Sequence, residues 1–174
     1  PIYPMIDSIP SELFGQSIKE YYSRAENVIS GQSKLQELLN LDYISNFFYL
    51  AIESEIFGMD TIFFEGGSPN TGEPIAKSLE YFSTIDMPDL NGHPSYKKTL
   101  ETTKGLAEDF KGKKPILSVQ TGPFSFPSLL MGTSSWFESI LMSPEKLPDI
   151  MEFAVKFGID WAKGHLEAGA DVIV

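Results

Sequence analysis

Apolar positions along the chain fall into helical and extended spacings by turns, and that alternation predicts most of its elements. Behind Ser143-Pro144, the residues Leu147, Ile150, Met151, Ala154, Phe157, Trp161 and Leu166 recur at the three- and four-residue steps of one helix face. Ser143 suits the N-cap, Pro144 the first helical position and Gly169 the C′ site. The chain then enters Asp171–Val174, a short apolar stretch that reads as a buried strand. Ser95 is expected to cap a second helix, with Tyr96, Leu100, Thr103, Leu106 and Phe110 on one side and an end near Gly112. A third runs from about Arg24 to Leu39 with Ala25, Val28, Ile29, Leu35 and Leu38 inward, weakened by Gly31. Ser17 starts a shorter one. Extended segments are read at Pro1–Met5, at Asp42–Leu50 running into Ala51-Ile52-Glu53, and at Pro115–Val119. Thr61–Glu65 is a further short strand, and the turn-rich Gly66–Gly72 after it reads as a hairpin or excursion loop.

Core strands at Pro1–Met5, Asp42–Leu50, Pro115–Val119 and Asp171–Val174, separated by helices, predict a parallel sheet in one α/β domain spanning residues 1–174. Two architectures fit: a doubly wound open sheet, or half of a (β/α)8 barrel. An open sheet usually carries a glycine-rich first turn, and none follows Pro1–Met5. A whole barrel takes about 250 residues, so 174 residues would supply roughly half of one. The barrel reading therefore expects further strands after Val174.

Composition narrows the chemistry. A net charge of −11 leaves no basic face for a polyanion, so nucleic acid is not an expected partner. Without cysteine there is no disulfide scaffold, thiol nucleophile or thiolate metal site within this chain. No apolar run approaches the roughly 20 residues that cross a bilayer, so no membrane association is expected, and a cytoplasmic location is. His93, between Asn91-Gly92 and Pro94, reads as an exposed loop residue, and His165 as a helix C-terminal residue favoured by the dipole. Neither has a partner at metal-ligand spacing.

Several segments, in order, resemble a known family. Gly122-Pro123-Phe124-Ser125, Leu130-Met131-Gly132-Thr133, Ser143-Pro144-Glu145 and Glu167–Val174 are similar to the uroporphyrinogen decarboxylase superfamily. Gly15–Tyr21 and Ile52–Gly58 resemble its methyltransferase branch, which includes methylcobamide:coenzyme M and corrinoid-dependent O-demethylating enzymes. The resemblance implies the N-terminal half of a (β/α)8 barrel with parallel strands. It also implies methyl transfer between a corrinoid (methylcobamide) protein and a zinc-activated thiol such as coenzyme M. Zinc ligands in that branch are a His-x-Cys pair and a later Cys, and the resemblance places them beyond Val174, with no metal ligand in this chain. The oligomeric state is left open.

A decarboxylase acting in porphyrin biosynthesis is the alternative, and three departures count against it. Ile6–Glu12 holds no arginine to grip substrate carboxylates, Tyr49 stands where the resemblance puts a catalytic aspartate, and Leu129 where it puts a substrate tyrosine. A non-catalytic binding module on the same fold is the third reading. Barrel sites lie at the C-terminal ends of strands, which selects Asp7 and Ser8, then Tyr49 and Glu53, then Gln120, Thr121 and Gly122, with Phe124 over the pocket. Glu53 matches an acidic position of the methyltransferase pattern and is the expected catalytic carboxylate, while the others would contact substrate. Glu53 also has a plainer reading as an acid complementing a helix N-terminus, Asp7-Ser8 as turn chemistry, and Tyr49 as core.

Overall fold

The computed structural model describes residues 8–174. Pro1–Met5 and Asp7, read above as a first strand and a substrate contact, lie outside the described residues. In chain order the elements are α1 (Ile9–Leu13), α2 (Ile18–Tyr21), α3 (Ala25–Leu39), β1 (Ile44–Ser45), α4 (Ile52–Glu55), β2 (Thr61–Ile62), β3 (Asn70–Thr71) and α5 (Tyr81–Thr84). There follow a 3-10 turn (Leu90–Gly92), α6 (Pro94–Phe110), β4 (Ile116–Ser118), α7 (Phe126–Met131), α8 (Thr133–Met142), a second 3-10 turn (Pro144–Lys146), α9 (Leu147–Glu167) and β5 (Val172–Ile173).

The strands β1, β4 and β5 form a parallel sheet in the order β1-β4-β5, with Ile44 opposite Ile116 and Leu117 opposite Val172. The parallel order requires helical crossovers, and α6 and α9 supply them. The short strand at Thr61 is not part of this sheet. It pairs antiparallel with Asn70–Thr71 as a separate hairpin, as the turn-rich segment predicts.

Several boundaries differ from the sequence reading. The strand expected over Asp42–Leu50 narrows to Ile44–Ser45: Asn46 N–H still donates to Leu117 O, but Phe47 N–H turns back to Ser45 Oγ at 3.1 Å. Ile52–Glu55 is then helical instead of extended. The N-cap of α6 is His93, whose Nδ1 accepts from Ser95 N–H at 3.2 Å, with Pro94 as the first helical residue; Ser95 is already inside. Ser143 makes no side-chain cap and Pro144 opens a 3-10 turn, so α9 starts at Leu147. Helices α7 and α8 occupy a stretch in which no element was expected. Ser17, by contrast, caps α2 as foreseen: its Oγ accepts from Glu20 N–H, and Glu20 Oε2 accepts from Ser17 N–H.

The buried faces follow the apolar stripes over most of their length and depart from them at a few positions. On α9 they run through Ile150, Ala154, Phe157, Trp161 and His165, while Leu166 faces out. On α3 Gln32 and Gln36 are buried and Leu38 is 56% exposed. Aromatic rings build the main core: Phe126 stacks on Phe157 at 4.5 Å between centroids, and Tyr96 tilts against Trp161 at 4.8 Å. Among the described helices none is long and apolar enough to cross a membrane.

Candidate functional site

Glu53 sits at the centre of the site. Helix α4, entered directly from the β1 exit loop, carries its carboxyl inward until it is 3% exposed. One oxygen, Oε1, accepts from Thr121 N–H at 2.6 Å, tying the exit of β1 to the exit of β4. Burial raises the Glu53 carboxyl from the usual carboxylate range to about 7, and the Thr121 amide and hydroxyl only partly oppose that shift. A buried acid poised near neutrality can hold or release a proton under ordinary conditions.

Glu53 and Tyr49 line a small, partly open cavity together with Asn46, Thr99, Val119, Trp161 and His165. Beneath it lies a polar cluster. Asn46 Nδ2 faces Thr103 Oγ1 at 2.6 Å, Ser118 Oγ at 3.1 Å and His165 Nδ1 at 3.0 Å. Thr103 Oγ1 donates to Thr99 O and lies 2.9 Å from His165 Nδ1, and Thr99 Oγ1 donates to Tyr96 O and lies 3.3 Å from His165 Nε2. Both ring nitrogens of His165 are therefore engaged by side chains. Burial holds it down at about 4, well below the ordinary histidine value.

A second carboxylate on the same short helix is fully engaged. Glu55 Oε1 accepts from Tyr49 Oη at 2.8 Å and Thr61 Oγ1 at 2.6 Å, and Oε2 accepts from Ser95 Oγ. Burial, then the neighbouring Glu55 charge, raises the Tyr49 phenol far above its ordinary value. Its ring packs edge-on against Tyr22 and Phe63. Tyr49 therefore presents its ring to the cavity and spends its hydroxyl on Glu55.

The residues singled out from the sequence divide into two sets. Glu53, Tyr49, Gln120 and Thr121 gather where β1 and β4 end. The buried Gln120 Oε1 has no hydrogen-bond partner among the described residues, and the buried Thr121 hydroxyl favours the charged form of the Glu53 carboxyl. Gly122 and Phe124 lie further out. Gly122 is exposed and its carbonyl closes a turn by accepting from Ser125 and Phe126 N–H; Phe124, 52% exposed, offers its carbonyl to Trp136 Nε1–H at 2.9 Å. Ser8 begins α1, its carbonyl accepting from Ser11 N–H and Oγ, and it does not line the Glu53 cavity.

Sequence reasoning missed Asn46, Thr99, Thr103, Glu55, Trp161 and His165 as parts of this site. Two signals were present: Asn46 is an amide inside an apolar run, and His165 follows Trp161 by four residues on the buried face of α9. Among the described residues no group of three His, Asp or Glu side chains is disposed to hold a metal ion.

The profile of the uroporphyrinogen decarboxylase (URO-D) family matches residues 10–174. The chain belongs to that family. Among curated relatives, it is 25% identical over 170 residues to the methylcobamide:CoM methyltransferase MtbA of Methanosarcina acetivorans, covering 93% of this chain and 48% of that protein. The MtbA of Methanosarcina mazei is 31% identical over 74 residues, 42% of this chain and 22% of that one. A solved methyltransferase from Methanosarcina mazei superposes with a TM-score of 0.80 at 23% identity, over 95% of this chain and 49% of that chain. This URO-D chain spans about half the length of the first of these relatives. Its fold is α/β with parallel strands, the half of a (β/α)8 barrel expected from the sequence.

Proposed function

We propose that the protein is a methyltransferase that moves a methyl group between a methylcobamide carried on a corrinoid protein and a zinc-activated thiol such as coenzyme M. The observation that carries this reading is the similarity along 93% of the chain to a methylcobamide:CoM methyltransferase. In the transfer a carbon–sulfur bond forms and the cobalt–carbon bond breaks, with its electron pair left on cobalt and the thiol proton released. Glu53 is the residue proposed to hold that proton, because its buried carboxyl changes charge near neutrality. Gln120 Oε1, unpartnered where β4 ends, and the adjoining Thr121 hydroxyl are proposed to orient the acceptor. The corrinoid partner would dock over these same strand ends.

The decarboxylase alternative has less support. Tyr49, at the position of the catalytic aspartate, is a core phenol bonded to Glu55, and Leu129 is an apolar side chain packed against the main core. Neither can serve a polycarboxylate substrate. The test is to incubate the full-length protein with methylcob(III)alamin and coenzyme M and follow the cobalamin spectrum. Thiol-dependent demethylation is expected, and Glu53→Gln should lower kcat by about 10²- to 10⁴-fold, the usual range for lost general acid–base catalysis. No spectral change with any thiol, together with turnover of a porphyrinogen, would overturn the reading.

A further inference from the structure

Trp161 has a buried donor with nothing to donate to. Its side chain, on α9, is 2% exposed and wedged between Tyr96 and Phe157, and Nε1 has no hydrogen-bond partner among the described residues. Trp136 shows the ordinary arrangement, its Nε1–H satisfied by Phe124 O at 2.9 Å. Buried indole N–H groups are nearly always paired, and an orphaned one points to an ordered water or ligand.

The cavity beside it supplies the place. Trp161 lines the same space as Glu53, whose Oε1 is taken by Thr121 N–H. Asn46, Thr99 and His165 also line this space but are already bonded to one another. The volume open to a water there is about 10 Å³, close to the least that holds a single molecule. A water needs two or more polar partners to reside in such a site, and an unmet indole donor and a carboxyl on the lining of one cavity offer one of each sense.

We propose that one resident water bridges Trp161 and Glu53, accepting from the indole Nε1–H and donating to the carboxyl, so that α9 positions Glu53 through it. Trp161 is a positioning residue in this arrangement: it touches no substrate and acts by fixing the water that stabilises the charged carboxylate. The bridge links the crossover helix to the group at the mouth of the sheet. It concerns the site used in the function proposed above, but its readouts involve no methyl transfer, so the two proposals fail separately.

The test uses the full-length protein labelled with 15N-tryptophan and 13C-glutamate. Trp161→Phe identifies the Trp161 indole signal by its loss while keeping an aromatic ring against Tyr96 and Phe157. In the native protein that indole proton should show cross-relaxation to a long-lived water, with NOE and ROE of opposite sign, and a crystal structure should show density in the cavity. In Trp161→Phe the water should be lost and the Glu53 carboxyl titration, read from its 13C shift, should move to higher pH. A dry cavity in the native protein overturns the proposal, as does a Glu53 midpoint unmoved by Trp161→Phe. If Trp161→Phe fails to fold, the native water cross-peak and density alone decide whether the bridge exists.

Discussion

Glu53 and His165 face the same cavity and respond to acid in opposite directions. Native Glu53 keeps its proton up to about 7, whereas the unfolded chain sheds it near 4.5; raising pH through that window therefore removes stability. His165 stays neutral down to about 4 while the unfolded chain protonates near 6.5, so lowering pH through that window removes stability. Each unit is worth about 1.4 kcal/mol before other groups are counted. Across the shared range, 4.5 to 6.5, the two nearly cancel. Urea unfolding against pH should accordingly give a shallow native profile for this pair. In Glu53→Gln stability should fall on acidification from 6.5 to 4, and in His165→Gln it should rise on acidification from 7 to 4.5. Parallel profiles for all three proteins would refute the assignment. Glu53 was legible in the sequence because a strand exit is where a barrel puts its polar groups. The role of His165 was not, because a lone histidine near a helix end is also what a dipole favours, and only the partner helix and sheet show that it is enclosed.

Elements meet closely where α6 crosses α9. A Cβ at Gly164 would stand 1.9 Å from Tyr96 Oη, and that hydroxyl donates toward the carbonyls of Asp160 and Trp161. Gly164→Ala would push the Tyr96 ring out of its slot against Trp161, and overpacking of this kind costs about 1–3 kcal/mol. Thermal unfolding should show a lowered Tm, while Gly122→Ala, with open space around its Cβ, should leave it nearly unchanged. Periodicity found α3, α6 and α9 because each is long enough to show a stripe. It gave nothing for α7 and α8, where Phe126–Met131 and Thr133–Met142 are short and separated by Gly132 at φ +84°. The strand at Ile44 was overdrawn for a related reason. Aromatic residues continue past Ser45, but Phe47 turns back to the Ser45 hydroxyl, and Phe48 and Tyr49 are buried as rings in the core instead of as rungs of the sheet.

At the scale of the molecule, stability is expected to be uneven. The parallel sheet has α3, α6 and α9 packed around it, and Ile44, Leu106 and Ile116 form a buried cluster there. The β2–β3 hairpin has partly exposed residues, and its Ile62 is 47% exposed. Amide exchange should therefore be slowest at Asn46, Asp171 and Val174, whose N–H groups bond across the sheet, and faster by orders of magnitude at Thr61–Thr71. Equal protection of the two regions would show that the hairpin is part of the same cooperative unit. Fold class was legible at this scale because strands alternating with helices admit few topologies.

What the sequence determined by itself was the order and kind of the longer elements, the parallel sheet that order demands, and the family, since periodicity and motif order are properties of a linear chain. The tertiary structure alone decided which polar groups meet. Asn46 and His165 are 119 positions apart and Glu53 and Thr121 are 68 apart, and they touch only because the parallel crossovers bring the ends of β1 and β4 together and pack α9 against α6 beside them. Burial then set their charge states, because removing solvent penalises an ionised group by an amount that no local sequence contains.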